Sequence, residues 1–314
     1  MFTPTLLINM ENPSLENFCP ETTTTHFNSR LNSKTEIKIA LAIGNSHLHW
    51  GLFYDQTLQE TWDTKHLSVD AISQLSEHER TEFLVQTAIA PIEKKYAQKL
   101  LSLSNNPELA DHRAQQCVLL PLVLASVVPD QTALWQSYPD VRIITLDQLP
   151  IEGLYPTLGI DRALTLLGAG TQLGWPVLVI DAGTALTFTG ADVNRRLVGG
   201  AILPGLGLQL SSLGEKTAGL PVVILPYNLP QRWVADTETA IQSGVVHGVV
   251  SAVNDFIEDW LRLFPNSKIA VTGGDRTLLL KYLASAFPDT SAAIIETPEA
   301  IFWGMSQSIL DFGF

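Results

Sequence analysis

Positive charge is scarce in this sequence: 19 lysines and arginines stand against 32 aspartates and glutamates, a net charge of −13. Nucleic-acid binding through clustered basic residues is thereby excluded as a general activity. A local site for a small anion is not excluded, because a site can oppose the global charge. Cysteine is scarcer still. Cys19 and Cys117 stand in no C-x-x-C or other ligand spacing, which excludes a disulfide scaffold and fits unpaired thiols in a reducing compartment. No G-x-x-x-x-G-K-[ST] run occurs, so the P-loop class is excluded on its motif. There is no G-x-S-x-G elbow either. The seven histidines form no H-x-x-x-H or H-E-x-x-H set; His47 and His49 alternate on one strand and do not by themselves make a zinc site. The apolar run CVLLPLVLASVVP is too short, and too interrupted by proline, to cross a membrane. MFTPTLLINM lacks the basic start and long apolar core of a signal peptide. The expectation is a cytoplasmic chain without membrane or nucleic-acid partners.

What is present is a hydrophobic share of 46% in 314 residues, enough for one large domain or two ordinary ones. Residues 1–36 are polar, carry Thr22 to Thr25 in a row and show no sustained period; they are expected to be a flexible tail outside the fold. From residue 37 the pattern sharpens. IKIALAI reads as a strand, Gly44-Asn45-Ser46 as a turn and LHWGLFY as a second strand. Residues 68–104 carry helical spacing around Phe83, Leu84, Ala88 and Ile89. VLLPLVLASVV reads as a buried strand that Pro121 makes irregular. DRALTLLGAGTQL is a helix running out of a Gly-Ile-Asp turn. Then the opening pattern recurs: VLVIDAGTALTFTG is strand, Gly-Thr turn, strand. Ala42-Ile43-Gly44-Asn45 lies over Asp181-Ala182-Gly183-Thr184, which suggests two copies of one hairpin-first α/β unit. Two such units would bring both glycine turns to one ligand. A long helix over TETAIQSGVVHGVVSAVNDFIEDWLRLF, a strand IAV ending at Gly273-Gly274 and two later helices complete the reading.

Turns of the kind Gly-Asn-Ser and Gly-Thr-Ala can present backbone N–H groups to phosphate oxygens, with a hydroxyl or amide as an added donor. Asp181 ends an apolar strand just before the second turn, where a carboxylate is costly without a partner; holding a cation explains it, a capped turn being the alternative. Asp161 opens a helix. It is an N-cap or a general base on an acceptor hydroxyl, and Arg162 is a surface charge or an anion contact. Gly244 and Gly248, four apart on the long helix, would let another helix approach, within the chain or in a second copy.

In order along the chain, these pieces resemble the type III pantothenate kinases, of the superfamily that joins acetate and sugar kinases, heat-shock chaperones and actin. The matching stretches are Gly44-Asn45-Ser46, Ser126-Val127-Val128-Pro129, Gly159-Ile160-Asp161-Arg162, Asp181-Ala182-Gly183-Thr184, Gly199-Gly200-Ala201-Ile202 with Pro204-Gly205, Thr237 with Ala240-Ile241-Gln242-Ser243-Gly244, and Thr272-Gly273-Gly274. The resemblance implies an α/β fold of two ribonuclease-H-like domains, over residues 37–175 and 176–314, with ATP in the cleft. It implies transfer of the γ-phosphate to pantothenate, the first step of coenzyme A synthesis, with Mg2+ and a monovalent cation, K+ or NH4+. By position, Asp161 is the expected proton acceptor, and Gly159 to Arg162 the pantothenate-contacting turn. Asp181 is the expected ligand of the monovalent cation. Gly44, Asn45, Ser46 and Thr184 are expected ATP contacts, Thr237 a substrate contact and Tyr155 a wall of the pantothenate site. A homodimer is implied. One position departs: the family's first turn reads Asp-x-Gly-Asn-Thr, and this chain has Ala42 where the aspartate stands. That leaves, as an alternative, a weakened or non-catalytic member like the Bvg accessory factor branch.

Overall fold

The computed structural model describes residues 37–88 and 120–311. The polar N-terminal residues and both cysteines lie outside the described residues, as does the part of the expected helical region from residue 89 onward. Both sheets of the fold belong to one compact unit, Thr35–Leu84 with Leu120–Phe314.

Among the described residues, ten strands form two five-stranded sheets. The first contains β1 (Ile37–Ile43), β2 (His47–Tyr54), β3 (Thr57–Lys65), β4 (Leu122–Ser126) and β5 (Val141–Ile143), in the order β3-β2-β1-β4-β5. The second contains β6 (Val177–Ala182), β7 (Ala185–Ala191), β8 (Leu197–Pro204), β9 (Lys268–Thr272) and β10 (Ile294–Glu296), in the order β10-β9-β6-β7-β8. The helices are α1 (Val69–Ser73), α2 (Pro129–Trp135), α3 (Ile160–Leu173), α4 (Leu206–Lys216), α5 (Thr237–Leu263), α6 (Arg276–Ala286), α7 (Pro288–Ala292) and α8 (Ala300–Asp311). Residues 77–88 are helical as well. None of the described helices is long and apolar enough to cross a membrane.

The two sheets repeat one topology. In each, the first strand sits at the centre, pairs antiparallel with the second and parallel with the fourth. That is the ribonuclease-H-like order, so the duplication read from the two Gly turns extends over whole sheets. The central strands are buried on both faces, which is why IKIALAI and VLVIDA are nearly continuous apolar runs. The edge strand β3, TLQETWDTK, alternates between half-buried and exposed positions instead.

One core wraps α3 and α8: Ala163, Leu164 and Leu167 of α3 and Met305 of α8 pack with β1 and β4 residues of the first sheet and β6 and β9 residues of the second. A second core lies under α5 and α6, on Ile180, Phe188 and Val271. The α3–α8 crossing has room for backbone only. A Cβ on Gly168 would fall 1.9 Å from the Ala300 carbonyl oxygen, and one on Gly304 would fall 2.0 Å from that of Leu164. The C-terminal helix thereby closes on the first sheet, where the Ser306 hydroxyl donates to the Gln56 carbonyl (3.2 Å). The consequence for function is that α3, with Asp161 in its first turn, is fixed from several sides.

Candidate active site

Three glycine turns define the site. In the first, the Gly44 N–H donates to the His47 carbonyl (3.1 Å) and the Gly44 carbonyl accepts from the His66 ring (2.7 Å). In the second, the Gly183 N–H donates to Ala185, while the Gly205 N–H donates to the Thr184 carbonyl (2.9 Å). Gly205 must be glycine, because a Cβ there would lie 2.0 Å from the Gly183 carbonyl oxygen. The two turns meet. The Ser46 and Thr184 hydroxyls, both on exposed residues, are hydrogen-bonded to each other at 2.8 Å. The third turn, Gly273-Gly274, packs on the same point. Gly273 has φ +92°, its Cβ would fall 2.5 Å from Asp181 Oδ1, and the Asp275 N–H donates to the Ala182 carbonyl (2.8 Å).

Two carboxylates lie beside these turns. Asp161 is in the first turn of α3, and its Oδ1 accepts from the Arg162 N–H (2.8 Å). It is not the N-cap; Gly159 holds that place. A Cβ on Gly159 would sit 2.4 Å from Asp161 Oδ1, so the glycine gives the carboxylate its position. Burial pushes the Asp161 carboxyl above the usual carboxylate range. Burial, and then the negative charge of Asp161, raise Asp181 to about 6, with His49 and Arg162 opposing in part. Among the described residues no hydrogen bond reaches the Asp181 carboxylate. A half-buried, unpartnered carboxylate beside another suits a bound cation. Among the described residues no three His, Cys, Asp or Glu side chains converge on a metal position.

Arg162 is not a surface charge. It is 9% exposed, with Nε donating to Thr189 Oγ1 (3.0 Å), Nη2 to the Phe188 carbonyl (2.9 Å) and Nη1 to the Tyr155 hydroxyl (3.3 Å). These bonds tie the start of α3 to β7 and to Tyr155, and use three of the guanidinium's five N–H groups. Gly200 leaves the space, since a Cβ there would lie 2.6 Å from Arg162 Nη2. Tyr155 is 41% exposed, and Ile160 is buried behind the turn. Thr237 begins α5 and is exposed; no hydrogen bond among the described residues links it to Asp161 or Asp181. The α5 start is fixed by Asp236, whose carboxylate accepts from the Thr239 N–H (2.9 Å). Beside it runs an open groove of about 590 Å³ between the segment around Tyr227 and Asp236, Thr239 and Gln242. Asp161 and Asp181 do not line that groove. Gly244 and Gly248 are exposed, with nothing within 4 Å of a Cβ at either, so they do not seat a helix within the described residues.

Sequence reasoning passed over the pair His49–Asp63, joined at 2.7 Å through Nδ1 and Oδ1. The available signal was register: a hairpin turning at Gly44–Ser46 sets His49 directly across from Ala42.

Comparison with known proteins bears on the whole of this arrangement. The family model described as type III pantothenate kinase matches residues 38–259. A protein of Nostoc sp. named type III pantothenate kinase is 51% identical over 273 residues, covering 86% of this chain and 94% of its own length. One of Synechocystis sp. with the same name is 41% identical over 280 residues, covering 88% of this chain and 91% of its own. Among solved structures, a Campylobacter jejuni protein described as a Baf family transcriptional activator aligns with a TM-score of 0.52 at 18% identity. That alignment covers 87% of this chain and 98% of the other, a likeness of fold alone.

Proposed function

Since the chain belongs to the type III pantothenate kinase family, we propose that it transfers the γ-phosphoryl group of ATP to the primary hydroxyl of pantothenate, with Asp161 as the general base. The observation that carries this is the convergence of the three glycine turns, bridged by Ser46 and Thr184, next to the Asp161–Asp181 pair. Phosphoryl transfer asks mainly for positioning and charge neutralisation, plus one group that orients or deprotonates the nucleophile. The Ser46 and Thr184 hydroxyls, with those N–H groups of the first two turns that the turns do not themselves use, hold the phosphates. Asp161, deprotonated, accepts the proton of the attacking hydroxyl, and its raised carboxyl is a better base than an ordinary exposed aspartate. The remaining N–H groups of Arg162 and the Tyr155 hydroxyl hold the anionic and polar ends of the acceptor. Asp181 holds a monovalent cation. Bound Mg2+ supplies charge neutralisation on the transferring group.

The division into domains at residue 175, with α8 returning to the first sheet, belongs to the same proposal, as does a cytoplasmic homodimer. In the dimer, Gly244 and Gly248 of α5 would face a second copy, and Thr237 at the head of that helix would serve a substrate. The non-catalytic reading rests on Ala42 alone; no other feature favours it. The test is direct. Purified protein receives ATP, Mg2+, K+ or NH4+ and pantothenate, and phosphopantothenate is measured. Asp161→Asn is expected to lower turnover by about 10²–10⁴ with folding unchanged. Failure of the unaltered protein to turn over or bind either substrate would sink the reading.

A further inference from the structure

The repeated topology gives each sheet an equivalent row of residues at the end of its central strand. In the second sheet that row holds Asp181, with Thr187 across on β7 and Thr272 across on β9. In the first sheet it holds Ala42, with His49 across on β2 and Ala125 across on β4. One strand further out, Asp63 of β3 stands opposite His49. Cross-strand partners point to one face of a sheet. Ala42, His49 and Asp63 therefore share a face, and the carboxylate absent from β1 reappears two strands away with an imidazole between.

The imidazole is fixed and aimed. Nδ1 is bound to Asp63 at 2.7 Å, and the carboxyl of Asp63 is held below its usual range first by that bond. Nε2 lies 3.5 Å from where a Cβ on Gly44 would sit, at the first phosphate turn, and has no hydrogen-bond partner among the described residues. The His49 side chain is 41% exposed, so a ligand can reach it. The other face of the hairpin is rigid: Trp50, fully buried, stacks on Trp62 and meets Trp135 edge-on, and its N–H donates to Thr64 (2.9 Å). The charged groups facing His49 are Asp63 on β3, His47 on its own strand and Asp181 at the end of β6. Arg276, at the start of α6, lies beyond Asp63.

We propose that His49, held by Asp63, replaces the missing first-turn carboxylate as a contact for the nucleotide: its Nε2–H donates to a terminal phosphate oxygen seated at the Gly44–Ser46 turn. This rests on the kinase reading of the cleft. The family's aspartate acts on phosphates through a metal and its water; an imidazolium neutralises their charge directly, by a charge-assisted hydrogen bond. Asp63 is a positioning residue: its carboxylate accepts the Nδ1–H and sets the ring's direction, so donation from Nε2 to the phosphate uses the doubly protonated ring.

The experiment measures binding of a non-hydrolysable ATP analogue by titration calorimetry, with and without Mg2+, and turnover beside it. His49→Ala is expected to weaken nucleotide binding about 10- to 100-fold while the KM for pantothenate stays unchanged. His49→Gln, which keeps an N–H near Nε2, recovers part of the loss. Asp63→Asn weakens nucleotide binding less than His49→Ala. Nucleotide affinity unchanged in His49→Ala, or no recovery of affinity in His49→Gln, overturns the proposal. Because binding is read without turnover, a protein that binds ATP through His49 but does not phosphorylate pantothenate would refute the kinase reading and leave this inference standing.

Discussion

Asp161 depends on a neighbour that has no side chain. A methyl group on Gly159 would overlap Asp161 Oδ1, so Gly159→Ala is expected to displace the base by a fraction of an ångström. Turnover should fall about 10- to 100-fold, with little change in thermal stability; an unaltered kcat would remove Asp161 Oδ1 from the reacting atoms. The carboxylate pair also sets the pH response. Both groups are raised, Asp181 to about 6, and the base works only when deprotonated. The kcat profile is therefore expected to fall on the acid side at a pH above the ordinary carboxylate range, with an apparent value belonging to the pair. Stability runs the other way. The folded state binds these protons more tightly than the unfolded chain, so the cation-free protein loses stability as pH rises from the ordinary carboxylate range through about 6. Asp181→Asn should then stabilise the cation-free protein at neutral pH by ~1–3 kcal/mol, read by urea denaturation, and abolish activation of turnover by K+ or NH4+. A destabilised variant would mean that the carboxylate has a partner in the fold.

Among the elements, α3 determines most. Its N-terminal turn carries Asp161, its third residue, Arg162, grips β7, and its middle is pressed against α8 at Gly168 and Gly304. Backbone contact at 1.9 Å from a would-be Cβ leaves no slack. Gly168→Ala should cost ~1–3 kcal/mol of stability and lower turnover as well, because the helix must shift and take Asp161 with it. Gly207→Ala in α4, where a Cβ meets nothing within 4 Å, is the matched control. It should be neutral or add up to about 1 kcal/mol. Equal behaviour of the two variants in denaturation would contradict the packing account.

At the scale of the molecule, duplication is the organising fact. Two sheets of identical strand order bring two hairpin turns together, hydroxyl to hydroxyl, and one of the two rows retains its acid while the other has an imidazole and a displaced acid. The assembly proposed through α5 has its own test. Gly248→Glu adds a charge where nothing lies within 4 Å in the single chain, so the fold should survive it. Size-exclusion chromatography with light scattering should show a shift from dimer towards monomer. A variant that remains dimeric would move the interface away from α5.

The sequence by itself determined the elements and the pairing of the motifs. Apolar runs such as IKIALAI and VLVIDA can only be buried central strands, and glycine followed by Asn-Ser or Thr-Ala makes a tight, polar turn whatever surrounds it. Those are local consequences of side-chain volume and backbone freedom, so they are written in consecutive residues. The roles of Arg162, His49 and Gly159 were decided by tertiary structure. Arg162 reads locally as a charge on a helix start, and it becomes an anchor because β7 passes close enough to accept three-dimensional contacts from it. His49 reads as one of two alternating histidines. It gains Asp63, 14 positions along the chain, on one side and Ala42 on the other because strand register sets them side by side. Charge and hydrogen bonding act through space over a few ångströms, and the chain fixes those distances only after the sheets have formed.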